Sequence, residues 1–375
     1  MPQPGRERID RMTSRQPELA FEASIFNVVR TAARMTRKDP RFAIRALRLL
    51  RRQRAAAKLR DEQERRGVHV PPFLIYSVTG QCNFDCAGCY ANLLHKSDRE
   101  ELSDEQMDQL LTEVEELGSS IMLIAGGEPL MRPQLLGLTA KHPEILFLLF
   151  TNGSLLDGRR IEQLQSQKHV IPVLSIEGDP QQTDRRRGEG AHAGVLHAMK
   201  SLRRNRIFFG TSTTLTRENF DLTTSENHLR PLIEAGCRLF YYINYVPVAE
   251  GTEDLQLDPA QVNELEARLI HHRRKLPALF IAFPHDEMAL GGCLAAGRGF
   301  LHINAYGDVE PCPFSPFSDT NLKDSSFEEA LASPLLQHIL SSDVVLDETD
   351  GQCALWKQRE WVKRLLDHGQ RSGNE

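Results

Sequence analysis

Short apolar runs alternate with helical patterns along most of the chain after residue 72. Turn residues bound each run, as expected of buried strands in a parallel sheet. Strands are predicted at 73–79, 120–125, 145–150, 170–176, 207–213 and 239–246. Parallel strands need crossover helices between them, and the helical patterns lie where those crossovers belong.

The helical patterns complete a series of β/α units. Ser103-Asp-Glu-Gln106 is a capping box that opens a helix to about Leu117. Further helices are predicted at about 133–141, 158–167, 192–204, 226–235 and 258–273. These units are fewer than the eight that close a full barrel, so an α/β fold with an open partial (β/α)6 barrel is expected. Its site should lie where the carboxyl ends of the strands meet.

The N-terminal segment has a different charge from the rest of the chain. Residues 1–20 are polar and predicted to be disordered, whereas 22–66 has a helical pattern that Pro40 should divide. Residues 1–66 contain 18 basic and 8 acidic side chains, and the remainder carries a net charge of −15.

Arginines and aliphatic residues occupy opposite sides of the predicted helix at 41–60. Three interpretations stay open: an appendage packed on the acidic remainder, a peripheral membrane contact, or recognition of an acidic or phosphate-bearing partner. No compact nucleic-acid-binding module accompanies the segment, so no nucleic-acid partner is expected.

The pattern changes again after about residue 284. Two short apolar runs, 300–304 and 309–311, flank Ala305-Tyr-Gly-Asp308 and predict a hairpin. A charged helix is expected at 356–368. The predicted domains are therefore 1–66 (N-terminal segment), 67–283 (partial barrel), 284–355 (a smaller cysteine-containing region) and 356–375 (C-terminal helix).

The composition also indicates the cellular compartment in which the protein is expected. Hydrophobic residues make up 40% and charged residues 26% of the 375 residues, which is ordinary for a globular protein. The polar start does not resemble a signal peptide, and no segment approaches the ~20 apolar residues of a membrane span. An odd number of cysteines in a chain of this length predicts thiols in a reducing cytoplasm rather than disulfides.

Three of those cysteines follow the first predicted strand. Cys82, Cys86 and Cys89 form C-x3-C-x2-C, one thiolate short of a closed zinc or iron–sulfur site. A cluster held by three cysteines leaves one iron open to a small molecule. A zinc site completed by a distant His or Cys and a loop of reduced structural thiols remain alternatives.

Gly126-Gly-Glu-Pro129 ends the second predicted strand. Its glycines allow the backbone to approach a ligand closely, and Glu128 offers an acceptor for an ammonium group. An ordinary strand-to-helix turn is the alternative for the tetrapeptide alone. Together with the cysteine loop, it resembles the radical S-adenosylmethionine (radical SAM) family, whose GGEP motif contacts the SAM amino group.

The resemblance covers about residues 72–355 and implies a reaction. A [4Fe–4S] cluster on Cys82, Cys86 and Cys89 would bind SAM at its open iron. One electron, from a donor such as flavodoxin or ferredoxin, would cleave SAM to a 5′-deoxyadenosyl radical. That radical would remove a hydrogen atom from the substrate.

Further SAM contacts follow from the same resemblance. Relatives often have an aromatic residue before the third cysteine; Gly88 stands there in this chain, and Tyr90 follows the cysteine instead. An arginine at the position of Arg187 faces the SAM carboxylate in relatives, although Arg185 and Arg186 leave its register open. The predicted contacts are Tyr90, Gly126, Gly127, Glu128, Pro129, Asn152, Ser175 and Arg187.

A second set of cysteines lies in the C-terminal region. The spacing of Cys293, Gly307 and Cys312 resembles the start of the SPASM and twitch extensions of radical SAM enzymes, and Cys353 follows. The resemblance implies one auxiliary iron–sulfur cluster. Trp356 stands where a fourth cysteine is expected, so the fourth ligand stays open between a non-cysteine side chain, Cys237, substrate and solvent.

Several other residues receive weaker predictions. Cys237 precedes an apolar strand and is expected to be a buried core thiol. Tyr242, Asn244 and Tyr245 end a predicted strand, where core packing is favoured over substrate contact. The sequence His285-Asp-Glu287 is interpreted as a solvated loop.

The predicted function is oxidation or maturation of a small metabolite or a peptide, with the auxiliary cluster accepting the second electron. A redox-neutral epimerase, mutase or lyase, acting also on a membrane-associated or lipid substrate, is the alternative. An iron–sulfur electron carrier without catalytic activity ranks below both.

Overall fold

One sheet forms the centre of the part of the chain that the structure describes. The computed structural model describes residues 40–290, 292–342, 344, 346, 348 and 351–372. The strands are β1 Phe73–Ser77, β2 Ile121–Ala125, β3 Leu146–Thr151, β4 Val170–Ser175, β5 Gly210–Leu215, β6 Leu239–Asn244, β7 Leu279–Phe283, β8 Phe300–Ile303 and β9 Val309–Glu310. Their order is β7-β6-β5-β4-β3-β2-β1-β8-β9.

Helices connect and cover the strands. They are α1 Pro40–Arg65, α2 Tyr90–Leu94, α3 Asp104–Leu117, α4 Leu135–Lys141, α5 Gly158–Ser166, α6 Pro180–Arg187, α7 Ala191–Arg204, α8 Phe220–Thr223, α9 Glu226–Glu234, α10 Pro259–Lys275, α11 Phe327–Leu331, α12 Pro334–Ser341, α13 Ala354–Lys357 and α14 Arg359–Ser372. Strands β1 to β7 pair in parallel with one another, and the helices cover this sheet. The predicted partial barrel is confirmed.

The barrel has one parallel strand more than the sequence predicted. Strand β7 follows α10 and pairs in parallel with β6. Its five residues alternate between half-buried and buried positions, because β7 lies at the open edge of the sheet. The run Leu279–Phe283 is short and follows a long helix, so its strand pattern was not recognised in the sequence.

Burial and capping explain the elements closest to the site. All five residues of β1 are buried, since the strand has neighbours on both edges and is covered on both faces. The predicted capping box of α3 is confirmed, with Ser103 and Gln106 each accepting a hydrogen bond from the backbone N–H of the other. Gly118 ends α3 in a left-handed conformation, with φ at +96°.

The predicted C-terminal hairpin is also confirmed, and it joins the main sheet. Strands β8 and β9 pair antiparallel around the turn. Strand β8 in turn pairs in parallel with β1, with Phe300 opposite Phe73. The C-terminal region is therefore attached to the strand that leads into the cysteine loop.

Helix α1 packs at the end of the sheet where the strands begin. Pro40 is its first residue, so residues 1–39, with the predicted disordered start and first basic helix, lie outside the described part. Arg60 Nη1 donates to the carbonyl of Gly118 at 2.7 Å, and Ser120 Oγ donates to Gln53 at 2.8 Å. These contacts favour the packed appendage. None of the helices in the described ranges combines the length and hydropathy needed to cross a bilayer.

Candidate active site and auxiliary cysteine site

The cysteine loop leaves the carboxyl end of β1 and leads into α2. Cys82, Cys86 and Cys89 are half-buried and form no disulfide. The backbone N–H of Phe84 donates to Cys82 Sγ at 3.4 Å, and that of Cys89 donates to the Cys86 carbonyl at 3.2 Å. Backbone N–H groups directed at sulfur are a usual feature of iron–sulfur sites.

The spacing of the thiols argues against the zinc alternative. A Zn–S bond of about 2.3 Å would hold thiolates within about 4 Å of one another. In the described residues, the compact groups with all ligand atoms within 4.8 Å of one another do not include this trio. At least one pair of these thiols therefore lies farther apart than the ligands of a compact zinc site.

Burial and a nearby positive charge have opposite effects on the pKa values of the thiols. Burial raises the pKa of Cys82 and of Cys86, and the guanidinium of Arg187 opposes the rise at Cys86. Arg187 therefore lies close enough to the loop to stabilise negative charge on it. The backbone of α6 also contacts the loop, since the N–H of Ala87 donates to the Arg186 carbonyl at 2.9 Å.

The two glycines after β2 bring that strand end against the cysteine loop. A Cβ on Gly127 would lie 2.0 Å from the Gln81 carbonyl oxygen, and one on Gly126 would lie 2.4 Å from that of Thr79. The N–H groups of Gly127 and Glu128 donate to these two carbonyls at 2.8 Å. The close packing of the cysteine loop therefore requires glycine at both positions, whether or not a ligand also approaches them.

Glu128 is buried and already holds protein donors. Its carboxylate accepts hydrogen bonds from Thr151 Oγ1 at 2.7 Å, from the N–H of Asn152 at 2.8 Å and from the N–H of Leu130 at 3.1 Å. Burial raises its pKa, and these donors oppose the rise. The carboxylate joins the ends of β2 and β3, and its predicted contact with an ammonium group would use the remaining lone pairs.

The end of β3 is also fixed to the cysteine loop. Asn152 Nδ2 donates to Asn83 Oδ1 at 2.9 Å, and Asn83 Nδ2 donates to Ser154 Oγ at 2.9 Å. Ser175, at the end of β4, lies with its hydroxyl 3.3 Å from that of Ser212. The predicted SAM residues on successive strands therefore meet at one edge of the sheet.

The three arginines of α6 have different environments. Arg185 pairs with Glu218 at the surface. Arg187 donates through Nε and Nη2 to buried Glu177. Arg186 lies 3.7 Å from the same carboxylate, but its Nε and Nη1 have no hydrogen-bond partner.

A cavity opens beside the cysteine loop, with a volume of about 420 Å³. Ala87 and Gly88 of the loop line it, together with Arg186 and Tyr245. The hydroxyl of Tyr245 is buried without a hydrogen-bond partner, and the ring lies 5.9 Å from the Arg186 guanidinium carbon. Arg186 and Tyr245 therefore both line the cavity and each have a buried polar atom without a hydrogen-bond partner among the described residues.

Tyr90 lies between the two cysteine sets. Its ring contacts Phe314 at a centroid distance of 5.1 Å and His95 at 5.9 Å. Burial raises its pKa, and the charges of Cys89 and Cys312 raise it further. The predicted adenine contact of Tyr90 stays a prediction, and the described packing makes it a bridge between the barrel and the C-terminal region.

The structure brings Cys293, Cys312 and Cys353 together from three separate segments. All three are buried and free of disulfides. Cys312 is in hydrogen-bond contact with Cys353, and the charge of Cys293 raises the pKa of Cys312. The charge of Glu287 in turn raises the pKa of Cys293. Burial raises the pKa of Cys293 and of Cys312 well above the usual range.

Two glutamates that the sequence did not reveal complete this pocket. Glu287 and Glu348 are 2% and 1% exposed, and carboxylate oxygens of both lie within 4.8 Å of Cys293 Sγ. Burial raises the pKa of Glu287 well above its usual range and that of Glu348 to about 7. The interpretation of residues 285–287 as a solvated loop was therefore wrong, because the turn folds inward beneath the C-terminal segment.

The residues that received weaker predictions lie in clearly different environments. Cys237 is a core thiol, as predicted: its Sγ lies 3.3 Å from the Leu239 carbonyl, where β6 begins, and burial raises its pKa to about 11. It is thus at the opposite end of β6 from Asn244, whose side chain donates to the Gly351 carbonyl at 3.0 Å. Tyr242 donates to the carbonyl of Thr223 and packs in the core.

Comparison with known proteins agrees with this arrangement. Residues 76–236 match the radical SAM superfamily. By this match, residues 76–236, which hold the cysteine loop and β2 to β5, form a radical SAM domain. The cofactors of that superfamily are a [4Fe–4S] cluster and SAM. The half-buried thiol loop, beside a cavity whose lining includes polar groups without partners among the described residues, fits both.

Two curated radical SAM relatives resemble most of the chain. The AdoMet-dependent heme synthase of Methanosarcina barkeri is 25% identical over 289 residues, which cover 70% of this chain and 82% of the synthase. The mycofactocin maturase MftC of Mycolicibacterium smegmatis is 27% identical, over 68% of this chain and 67% of the maturase.

Solved structures of radical SAM enzymes share the fold. Streptococcus suis SuiB bound to its precursor peptide SuiA aligns with a TM-score of 0.64 at 19% identity, covering 81% of this chain and 74% of SuiB. The AdoMet-bound enzyme anSMEcpe aligns with a TM-score of 0.57 at 18% identity, covering 80% of this chain and 95% of that one.

Proposed function

We propose that this radical SAM enzyme holds its SAM-cleaving [4Fe–4S] cluster on Cys82, Cys86 and Cys89 and catalyses a net oxidation of a small metabolite or a peptide. The observation that carries the proposal is the junction of the cysteine loop with the ends of β2 and β3 beside an open cavity. When bound, the cluster and SAM supply a 5′-deoxyadenosyl radical that takes one hydrogen atom from the substrate.

Residues at the ends of β2, β3 and β4, together with Arg186 of α6, orient SAM in this proposal. Gly126, Gly127, Glu128 and Pro129 hold its amino end, and Ser175 and Asn152 lie at neighbouring strand ends. Arg186 is the arginine best placed to receive the SAM carboxylate, because its Nε and Nη1 make no hydrogen bond within the described residues and it lies 3.7 Å from Glu177, whereas two nitrogens of Arg187 donate to Glu177. Arg187 instead supports the loop through its charge beside Cys86.

The second cysteine set supports the oxidative assignment. Cys293, Cys312 and Cys353 are buried, mutually close and separated from Cys89 by the aromatic pair Tyr90 and Phe314. An auxiliary cluster held there would accept the second electron, while the substrate loses a proton to solvent or a nearby base. A one-electron donor of the flavodoxin or ferredoxin class would supply the electron that cleaves SAM.

The relatives favour two substrate classes for this oxidation. One is a heme synthase and the other a maturase, and the structurally similar SuiB is bound to a precursor peptide. The proposed substrate is therefore a small metabolite or a peptide, held near Tyr245. Contact of α1 with a membrane remains a separate proposal that the exposed Leu47 side chain supports.

Anaerobic reconstitution tests the proposal. Iron is counted, and 5′-deoxyadenosine is quantified after reduction with dithionite in the presence of SAM. Release of 5′-deoxyadenosine is expected from the loaded protein and not from a Cys82→Ala, Cys86→Ala, Cys89→Ala triple variant. A fully loaded protein that binds no SAM would instead support the electron-carrier alternative.

The net reaction is tested by stoichiometry. With candidate substrates from the two classes, an oxidation consumes one SAM for each hydrogen atom removed irreversibly, and the product is two electrons more oxidised. Catalytic use of SAM, with its hydrogen returned to the product, would show a redox-neutral reaction instead.

A further inference from the structure

The C-terminal pocket has three thiols and lacks the fourth cysteine that would close a cluster. Trp356, at the position of the missing cysteine, has the guanidinium of Arg359 over its ring at 4.6 Å, so it is engaged outside the pocket. Cys237 lies at the far end of β6. A fourth protein ligand would therefore be another group near the three thiols.

Two buried carboxylates lie at that position. Glu287 Oε2 accepts from the N–H of Leu294 at 2.6 Å, and Glu348 Oε1 accepts from the N–H of Ala354 at 3.3 Å. Each carboxylate is thus fixed by the residue directly after one of the cysteines. Among the described residues, the other oxygens, Glu287 Oε1 and Glu348 Oε2, are buried without a hydrogen-bond donor, and the two carboxyl side chains contact each other.

Two carboxyl groups in contact in a buried thiol pocket are stabilised either by a shared proton or by a cation held between them and the thiols. A buried acceptor without a donor costs about 1–3 kcal/mol, and more when it is charged. Arg298 is turned to the carbonyl of Cys293 rather than to the carboxylates. A metal group at the three thiols would satisfy the free oxygens, since carboxylate oxygen is a competent ligand of iron.

We propose that Glu348 is the fourth protein ligand of the auxiliary cluster held by Cys293, Cys312 and Cys353. The inference rests on the auxiliary cluster of the proposed function. Glu348 is favoured over Glu287 because its side chain is in hydrogen-bond contact with the Cys293 thiol. Its anchoring bond is also longer than that of Glu287, 3.3 against 2.6 Å, so its carboxylate is freer to turn onto iron.

This assignment has a consequence for the reaction. A cluster closed by four protein ligands has no open iron for the substrate. The auxiliary cluster would then accept an electron without binding the substrate, and the substrate would remain in the cavity beside Cys86 and Cys89.

The test uses the full chain with Cys82, Cys86 and Cys89 replaced by Ala, so that any cluster signal comes from the auxiliary site. The protein is labelled with glutamate carrying ¹³C at its side-chain carboxyl and reconstituted anaerobically. About four irons per chain are expected. Electron–nuclear double resonance of the reduced cluster should show a ¹³C coupling from a carboxylate ligand.

Matched substitutions assign the coupling. Glu348→Gln should abolish it, whereas Glu287→Gln, the same change in the same pocket, should preserve it. Glu348→Cys should keep about four irons and give the spectrum of an all-thiolate cluster. Added imidazole should not alter the spectrum of the parent but should alter that of Glu348→Ala.

The contrary outcomes are distinct. About four irons without a carboxylate coupling, or a coupling lost only in Glu287→Gln, would overturn the assignment of Glu348 and leave the auxiliary cluster in place. A parent that binds imidazole would show an open corner and would also overturn it. Failure to load a cluster at all would remove the auxiliary site from the proposed function, without affecting SAM cleavage by the wild-type chain.

Discussion

The two cysteine sites are built in opposite ways. The first set lies on one short loop, is half-buried, and depends on backbone contacts from the ends of β2 and β3. The second set comes from three segments, is buried, and shares its pocket with two glutamates. The contrast separates two tasks, because a site that admits a cofactor needs access, whereas a site that only passes electrons can be enclosed by its ligands.

Cysteine substitutions should give the largest effects and should test the contrast between the two cysteine sites most directly. Cys86→Ala removes a proposed ligand of the SAM-cleaving cluster, so 5′-deoxyadenosine production should fall to background. Cys312→Ala should lower the iron content from about eight to about four per chain and keep SAM cleavage. Iron analysis and product quantification by chromatography measure both.

The pair of variants also tests whether the sites are independent. Loss of SAM cleavage in Cys312→Ala, with its iron still at about four per chain, would mean that the auxiliary site is required for the first step. That result would contradict the division of tasks described above.

Gly127→Ala should be the next most severe change. Its Cβ would lie 2.0 Å from the Gln81 carbonyl oxygen, so the cysteine loop must move. A displacement of this size at a reacting centre costs about 100-fold in rate, and SAM cleavage should fall accordingly. Gly158→Ala, where nothing lies within 4 Å of the added Cβ, is the matched control and should retain normal activity.

Arg186→Met should weaken SAM binding without destabilising the protein. Loss of a charge-assisted bond to the SAM carboxylate should raise the Kd for SAM by about 10- to 100-fold, measured by equilibrium dialysis of the loaded enzyme. Arg187→Met removes the buried pairing with Glu177 and should lower the melting temperature instead. The reverse pattern would assign the carboxylate contact to Arg187, as the sequence suggested.

The smallest effect concerns the region between the two sites. Glu310 lies beside His302, with its Oε2 at 2.6 Å from Nδ1, and burial raises its pKa to about 8. A raised carboxyl pKa means that the folded protein holds this proton more tightly than the unfolded chain. Its contribution to stability is therefore complete below the unfolded pKa of about 4.5 and is lost as the pH rises to about 8.

Glu310→Gln isolates that contribution. Between pH 6.5 and 8, the free energy of unfolding of wild type should fall by about 2 kcal/mol relative to the variant. Chemical denaturation of the protein at several pH values measures the difference. A constant difference would mean that Glu310 is already ionised in the folded protein at neutral pH.

The sequence predicted the parts of the molecule that depend on local pattern. The capping box at Ser103, the hairpin around Gly307 and six of the parallel strands follow from apolar periodicity and turn residues, and all are present. The seventh strand was missed because a five-residue run at a sheet edge, with three of its residues only half-buried, resembles the end of a loop. Such a strand is defined by its neighbour rather than by its own sequence.

The site was predictable only where ligands have characteristic spacing. Both cysteine sets could be found by their intervals along the chain, whereas Glu287 and Glu348 have no spacing that distinguishes them from surface acids. Their burial results from tertiary packing, since the N–H groups that hold them belong to Leu294 and Ala354. Arg186 and Arg187 could not be told apart either, because their partner Glu177 becomes visible only once β4 and α6 are folded.

The pairing of β8 with β1 makes the C-terminal region part of the barrel's own edge. A chain truncated before β8 would leave the backbone N–H and C=O groups of β1 unpaired along an apolar strand, a template for aggregation. Truncation should therefore yield insoluble protein rather than a minimal SAM-cleaving domain. Point substitutions, which leave this edge covered, are the way to dissect the two sites in one molecule.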